Sequence, residues 1–416
     1  MSFGLSGRAD DSQPPSRVNP NPHIVIGITN SQTCLVLAGR LRALKSAGFR
    51  VTLVSSPGPF LATTAKSEGV DFHELPMERG ISFFRDLRAL IQLTRLLLRL
   101  QPDVVEFSTP KAGLLGMIAA RLAGVKYRVY LLRGLRLETA MGMKRVAMVA
   151  AERLTSYCAQ VVLCSSRSLR QQALALRLAP EAKLQLLGNG SSHGVDTERF
   201  APGPSSLRWR LGIPDRVPVI GFVGRLTRDK GIPELLQGFS KVLQEAPEAR
   251  LLMVGWFDES EDALDTSMRR QILEHPRIVC TGFVEDTAPY YRAMDFLILP
   301  SKREGFPNAV LEAAATGIPV ITTFATGARN AVVAGVTGLL IPKGSVAAIR
   351  AACMELIRDR ARRMRMGQEA RAWVVEYFPE RDVLGLTVAF YRNLLHAHPT
   401  ADVWQTEPSE VAISMR

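Results

Sequence analysis

The sequence is poorest in what a membrane span, a disulfide scaffold or a repeat array would need. No stretch of about 18 residues is both apolar and uncharged, so no transmembrane helix is expected. Cys34, Cys158, Cys164, Cys280 and Cys353 are an odd number, scattered and mostly inside apolar runs. Neither a disulfide framework nor a metal-binding spacing can be built from them, and they read as buried thiols of a reducing compartment. No self-similarity with a period of about 20–50 residues is visible, which excludes solenoids and propellers. Residues 1–22 are rich in Ser, Pro and Asp and lack an apolar core, so they read as a disordered lead-in and not as a signal peptide. The polar stretch 399–416 reads as a flexible tail.

What is present is a globular composition. Of 416 residues, 47% are hydrophobic and 22% charged, enough apolar material for two cores of about 200 residues each. The net charge of +13 is unevenly placed. Met1–Phe200 carries 26 Lys and Arg against 14 Asp and Glu, while Ala201–Arg416 carries 26 against 25. The basic first half points to an anionic partner there, although a merely solubilising surface would look the same.

From His23 the chain alternates short β-branched runs with helical segments. Strands are expected at 23–28, 50–55, 70–75, 103–107, 127–132 and 160–164, with helices at 34–47, 83–100, 114–123 and 143–158 between them. Such alternation predicts an α/β fold with a doubly wound parallel sheet. The pattern breaks in the turn-rich Leu187-Gly-Asn-Gly-Ser-Ser-His-Gly194 and on through Pro202-Gly-Pro204, which marks a domain boundary near residue 200. A second series occupies 201–381: strands at 217–223, 250–254, 278–283, 296–300, 319–323 and 338–341, and helices at 233–245, 262–274, 308–316, 347–358 and 361–378. A last helix is expected at 382–396.

Two stretches of the second series carry chemistry. In the first, a strand ends in Gly224-Arg225-Leu-Thr-Arg-Asp-Lys230-Gly231, placing two cations five residues apart beside glycines, a pattern able to clamp a diphosphate. In the second, Glu304-Gly305-Phe306-Pro307-Asn308-Ala-Val-Leu-Glu312 runs from a strand's carboxyl end into a helix, with Pro307 expected at the first helical position. A helix start at that place offers free N–H groups to an anion. Two carboxylates would oppose a phosphate there unless they serve hydroxyl groups. The combination describes a nucleotide-sugar site.

Gly-Arg-Leu-x-x-x-Lys-Gly followed by Glu-Gly-Phe-Pro-Asn-x-x-x-Glu resembles the retaining glycosyltransferases of family four, with their Glu-x7-Glu signature, over about 23–396. Within that family the chain is similar to bacterial enzymes that build capsule, exopolysaccharide or glycan repeat units. The resemblance implies a GT-B architecture: two Rossmann-like domains facing a cleft, with the helix at 382–396 crossing back to the first domain. It implies that Arg225 and Lys230 neutralise the leaving diphosphate and that Glu304 meets the donor sugar's hydroxyls. Glu312 would take the two ribose hydroxyls, and N–H groups from Gly305 to Asn308 the sugar and phosphates. Gly282, Phe283 and Val284 would bracket the base, and Gly224 would close the donor loop.

The first domain would then hold the acceptor. Ser31, Thr33, Lys111 and Arg133 stand at expected strand ends there. Many relatives have a His-Gly pair where this chain has Arg133-Gly134. Arg133 cannot act as a base at neutral pH but can bind a hydroxyl or a phosphate. No Asp-x-Asp lies beside a strand, and metal dependence in other glycosyltransferases is tied to that motif, so no metal and no cofactor are expected. The expected partners are a nucleotide-sugar donor, UDP-linked, a lipid-linked glycan acceptor and an anionic membrane surface, but no nucleic acid. The expected location is cytoplasmic, peripheral on the inner face of the membrane. Rival readings are a nucleotide-sugar 2-epimerase of the same fold, for which no first-domain carboxylate and His cluster is visible, and a non-catalytic carbohydrate- or nucleic-acid-binding protein.

Overall fold

A computed structural model describes residues 20–37, 39–78, 80 and 82–396. The expected lead-in up to residue 19 and the tail from 399 lie outside the described residues. Among the described residues, thirteen strands form two sheets, parallel throughout. The first contains β1 (His23–Gly27), β2 (Arg50–Ser55), β3 (Asp71–Glu74), β4 (Val104–Ser108), β5 (Tyr127–Leu132), β6 (Val161–Cys164) and β7 (Leu184–Leu186). Its strand order is β3-β2-β1-β4-β5-β6-β7. The second contains β8 (Val219–Val223), β9 (Arg250–Val254), β10 (Ile278–Cys280), β11 (Phe296–Leu299), β12 (Val320–Thr323) and β13 (Gly338–Ile341), in the order β10-β9-β8-β11-β12-β13.

The central strands are buried along their whole length, β1, β4, β8 and β11 at every residue. That is why they read as continuous apolar runs: helices cover both faces of a parallel sheet. In each sheet the order reverses direction once, between β1 and β4 and between β8 and β11. At such a switch the connections leave to opposite faces, and a crevice opens beyond the strands' carboxyl ends. The loops after β8 and β11 are the two that carry the cations and the paired acids.

The chain returns to the first domain near its end. Val195 N–H donates to Phe378 O (2.9 Å) and Glu380 N–H to Val195 O (2.9 Å), and the helix Glu380–His396 follows. Its Tyr391 is fully buried with Arg40 and Glu106 of the first domain. Arg40 grips both carboxylate oxygens of Glu106, at 2.6 and 2.5 Å, and the Tyr391 hydroxyl also donates to Glu106. A buried pair of this kind stabilises only when its atoms find partners, and the terminal helix supplies one more to Glu106 through Tyr391, while Arg40 Nε stays without a hydrogen-bond partner.

Several local expectations are corrected. The expected helix 34–47 is a 3-10 segment, Ser31–Leu37, then a short α-helix, Arg40–Ser46, which starts after Gly39 at φ 78°. The strand 50–55 ends before Pro57 as expected, but no helix is expected directly after it, and Pro59 opens one, Pro59–Glu68, because the missing N–H of proline costs nothing in a first turn. The strand expected at 278–283 ends at Cys280, before Gly282 turns the chain at φ 71°.

Candidate functional site

The floor of the crevice is set by close backbone approaches that only glycine permits. Gly255 lies so near the chain after β8 that a Cβ there would sit 1.8 Å from Gly224 O. Gly231, at φ 75°, would place a Cβ 2.2 Å from Pro300 O. The loop after β8 is thereby pressed onto the end of β11.

Charge then ties the two loops together. Asp229, 5% exposed, accepts from Thr227 Oγ1 (2.6 Å) and Arg303 (2.9 Å), and Arg303 also reaches Asp262 (2.7 Å). Burial raises the Asp229 pKa, but Arg303, the Thr227 hydroxyl, Lys230 and Arg225 together outweigh it and hold the carboxyl below its usual value. Lys230 Nζ lies 2.6 Å from Glu304 Oε1, a largely buried pair made by the loops on either side of the switch point. Arg225 is oriented by Asp258 at 3.1 Å, with Asp229 at 3.8 Å, and stays one-third exposed. One cation is thus locked to a carboxylate and the other held by its neighbours with a face left open.

The helix Asn308–Ala315 starts where expected, but the place of Pro307 is corrected. Pro307 (φ −82°, ψ 110°) is its N-cap and not its first helical residue. Phe306 packs on Phe378, with ring centroids 5.3 Å apart. Gly305 is buried against the first domain: a Cβ there would lie 1.7 Å from Arg133 O and 3.0 Å from Ser165 Oγ. Gly327, at φ 80°, similarly abuts Gly305 O. The loop before this helix is thus wedged between the two domains at a residue that must be glycine.

Further along that helix, the Tyr291 hydroxyl donates to Glu312 Oε2 at 2.7 Å. Burial raises the Glu312 pKa, opposed by hydrogen bonds from Tyr291 and Thr287. Tyr291 belongs to the segment that continues from Gly282-Phe283-Val284, so those residues and Glu312 share one framework. Gly282 O accepts from Gly255 N–H (3.1 Å). Phe283, 42% exposed, has its ring centroid 5.6 Å from Trp256 and 5.6 Å from Phe60 of the first domain.

Across the cleft the first-domain candidates separate. Ser31 is buried, its Oγ against Gly58, and Thr33 lies half-buried in the same 3-10 segment. Lys111 is engaged: its Nζ lies 2.6 Å from Asp86 Oδ1 and bonds Gly80 O, so an acceptor phosphate would have to displace Asp86. Arg133 reaches Ser192 Oγ at 3.4 Å, while its Nε and Nη2 are enclosed without a hydrogen-bond partner. Burial and the nearby Arg40 lower its pKa to about 10, against the pull of Glu106, so it remains a cation at neutral pH.

Two neighbours were not singled out from the sequence. His193 is pushed down to about 3 by burial and by the charges of Arg133 and Arg40, so it is neutral. It sits in the turn-rich 187–194 stretch, which reads only as a boundary. Glu138 is enclosed at the domain junction, its pKa raised by burial despite Thr326, Lys343, Arg303 and Arg329 of the second domain. Other contacts also close the cleft. Glu261 pairs with Arg136 and Lys144 (3.1 Å each), and Ser168 exchanges hydrogen bonds with Asn330 (2.9 Å) and Gly327 (2.8 Å). Among the described residues, no group of three His, Cys, Asp or Glu side chains is placed to hold a metal ion.

Comparison with known proteins follows the same division. Residues 217–359 match the family described as glycosyl transferases group 1, and 36–190 match the glycosyl transferase 4-like domain. The capsular polysaccharide biosynthesis glycosyltransferase CapM of Staphylococcus aureus is 34% identical over 88% of this chain and 96% of its own. An Escherichia coli UDP-Gal:alpha-D-GlcNAc-diphosphoundecaprenol alpha-1,3-galactosyltransferase is 28% identical over 72% of this chain and 78% of its own. Among solved structures, Anabaena HepE in complex with UDP and glucose superposes with a TM-score of 0.72 at 19% identity, covering 88% of this chain and 99% of that one. That likeness shows the fold, GT-B.

Proposed function

Since the chain belongs to the group 1, family-4-like glycosyltransferases, we propose that it transfers a sugar, with retention of configuration and without a metal, from a UDP-sugar to a polyprenyl-diphosphate-linked acceptor in capsule or related surface polysaccharide synthesis. The observation that carries this reading is the Lys230–Glu304 pair at the switch point of the second sheet. A cation and a carboxylate 2.6 Å apart suit the junction between a diphosphate and the sugar it carries.

In this reading Arg225 and Lys230 meet the diphosphate as negative charge develops on it. Glu304 takes a donor sugar hydroxyl, and the N–H groups of Gly305 to Asn308 lie at the helix start for the remaining oxygens. Glu312, oriented by Tyr291, takes the ribose hydroxyls, and Gly282, Phe283 and Val284 bracket the base, with Gly224 closing the loop. The bond from the anomeric carbon to phosphate oxygen breaks as the bond to the acceptor oxygen forms on the same face. The departing phosphate receives the acceptor's proton, so Arg133 in place of a histidine leaves the reaction without need of an enzymic base. The relatives support the substrates by analogy: one is named for UDP-Gal and a diphosphoundecaprenol acceptor. The acceptor would lie along the first domain, near Arg133 and, once Asp86 yields, Lys111, at the cytoplasmic face of the membrane.

The test is release of UDP from candidate UDP-sugars with and without lipid-linked acceptor, followed by the anomeric configuration of the product and turnover in chelator. Acceptor-dependent release with retention in chelator is expected. Equal release without acceptor, or C2 epimerisation of the sugar nucleotide, would overturn transfer. Loss of turnover in chelator would overturn the metal-free step.

A further inference from the structure

The first domain buries more positive charge beneath the cleft than it neutralises. Arg40 and Glu106 are 1% and 0% exposed, and Arg40 commits both Nη groups to the two carboxylate oxygens, one of which also accepts from Tyr391. Arg133 is a second cation beside them. Its Nη1 reaches the hydroxyl of Ser192 at 3.4 Å, while its Nε and Nη2 are enclosed without a hydrogen-bond partner. Glu106 is the carboxylate whose charge reaches Arg133, and burial with the repulsion of Arg40 outweighs it. At a pKa of about 10 the guanidinium still keeps its proton at neutral pH. Neither His193, pushed down to about 3 and neutral, nor the Tyr391 hydroxyl, held well above its usual range, supplies a counter-charge. Two guanidinium groups against one carboxylate leave one positive charge enclosed and unpaired, a costly arrangement in a low dielectric.

Arg133 adjoins a small cavity through Ser192. The cavity has room for one water-sized body and is lined by Arg40, Ser165, Ser191, Ser192 and Thr387, with Leu and Cys side chains closing the rest. Arg40 Nε and Ser165 Oγ are likewise buried without a partner. Nε and Nη2 of Arg133 share one edge of the planar guanidinium, so both can donate to a single guest. Three cationic nitrogens and a hydroxyl without partners, with no carboxylate in the cavity wall, select a negatively charged one. A water molecule satisfies the hydrogen bonds but leaves the charge, whereas an anion answers both. The backbone is held to the same place. Ser191 has φ 68°, in the left-handed region that a serine adopts at a cost. Its N–H donates to Ser165 O (2.8 Å), and its Oγ accepts from Gly194 N–H (3.1 Å).

We propose that this chamber binds one monovalent anion of about chloride's size, held between the free edge of Arg133 and a wall that offers Arg40 Nε and the Ser165 hydroxyl. Ser165 follows β6, Ser191 and Ser192 belong to the stretch 187–194 that leads to the second domain, and Thr387 to the terminal helix that returns from it. The anion therefore ties both crossings between the domains to the first sheet, and its binding adds to the stability of the folded chain by mass action. The diphosphate of a substrate is too large for a space that fits one water. The site does not rest on the transferase reading.

The experiment is the thermal unfolding midpoint of the full chain in sodium chloride or bromide, with sodium gluconate, too large for the cavity, holding the ionic strength constant. Both halides should raise the midpoint by at least ~2 °C and then saturate, and gluconate should not. Arg133→Met removes the unpaired charge: in gluconate it should unfold at or above the parent's midpoint, and chloride should no longer move it. Arg133→Lys keeps the charge but loses the paired N–H edge, and should need at least ~10-fold more chloride for half the shift. Crystals of the parent grown in bromide should show an anomalous-scattering peak within hydrogen-bond distance of Arg133, a readout that stands even where the Met variant fails to fold. Equal midpoints in chloride and gluconate, an undiminished chloride response in Arg133→Met, or bromide bound only elsewhere would overturn the proposal. None of these measurements involves a sugar donor, so failed transfer would leave the anion site standing, and a missing halide response would leave the transferase reading standing.

Discussion

Both domains place carboxylates against tyrosine hydroxyls and cations, but to opposite ends. In the second, Glu304 with Lys230 lies beyond the strand ends at the switch point, and Glu312 with Tyr291 in the helix that follows. In the first, Glu106 sits within β4 under Arg40 and Tyr391, and Glu152 faces inward from its helix to Tyr130 at 2.9 Å. In the proposed reading the same pairing serves binding where the backbone opens into a crevice, and architecture where helices cover it. Position relative to the strand ends, and not the chemistry of the pair, separates the two uses.

The comparison breaks most visibly if the inward pair proves dispensable. Arg40→Met leaves Glu106 buried with the Tyr391 hydroxyl and the charge of Arg133 but without its bidentate partner, which should cost about 3–5 kcal/mol of stability in denaturant unfolding. Burial, the largest single cause, raises the Glu106 pKa, but the charge and hydrogen bond of Arg40, the Tyr391 hydroxyl and the charge of Arg133 together outweigh it and lower it. A lowered folded value means this contribution is present above the ordinary carboxylate range and lost as the pH falls through the folded pKa. A variant as stable as the parent at pH 7 would show that the pair is not what anchors the terminal helix.

The outward pair should behave otherwise. Lys230→Ala and Glu304→Ala should each lower kcat at least ~10²-fold, the scale for loss of one charge-stabilising group, with little change in unfolding midpoint. Near-native turnover in both would sink the site assignment.

Much of this contrast is legible in the sequence on one side only. The loops after β8 and β11 announce themselves because cations, glycines and acids recur at fixed spacing beside apolar runs. What spacing cannot show is that Asp229 braces both loops through Arg303, since that contact joins residues 74 apart in the chain. The first domain hides more. Arg40 and Glu106 are 66 residues apart and Tyr391 is 285 beyond Glu106, so their shared burial has no local signal. Lys111 looks free in sequence because Asp86 lies on another helix. The helix from Pro59 is not announced because proline ends one element and opens another equally well.

Glu152 sharpens the comparison through pH. Burial, resisted only by Tyr130, raises its pKa to about 7. A raised folded value means its contribution is full below the ordinary carboxylate pKa and is lost as the pH rises through about 7, the reverse of Glu106. Glu152→Gln keeps an acceptor for Tyr130 and removes the titration. The variant should gain up to about 3 kcal/mol relative to the parent by pH 9 and nothing at pH 4, read as unfolding midpoints across that range. A parent whose stability is flat from pH 6 to 9 would mean water reaches Glu152.

The smallest effect tests whether the outward Glu–Tyr pair serves binding. Tyr291 is fully buried, and its hydroxyl orients Glu312. Tyr291→Phe removes that one hydrogen bond and leaves the ring packed on Phe200, whose centroid is 5.9 Å away. The stability cost should be about 1 kcal/mol. If Glu312 holds the nucleotide, the same loss of orientation should raise the donor KM about fivefold while kcat stays within about twofold, because a ribose contact is equally strong in ground and transition states. An equal fall in kcat would instead place Glu312 at the reacting centre. A change in stability with no change in donor KM would make Glu312 another inward carboxylate, and the division between the domains would fail at that residue.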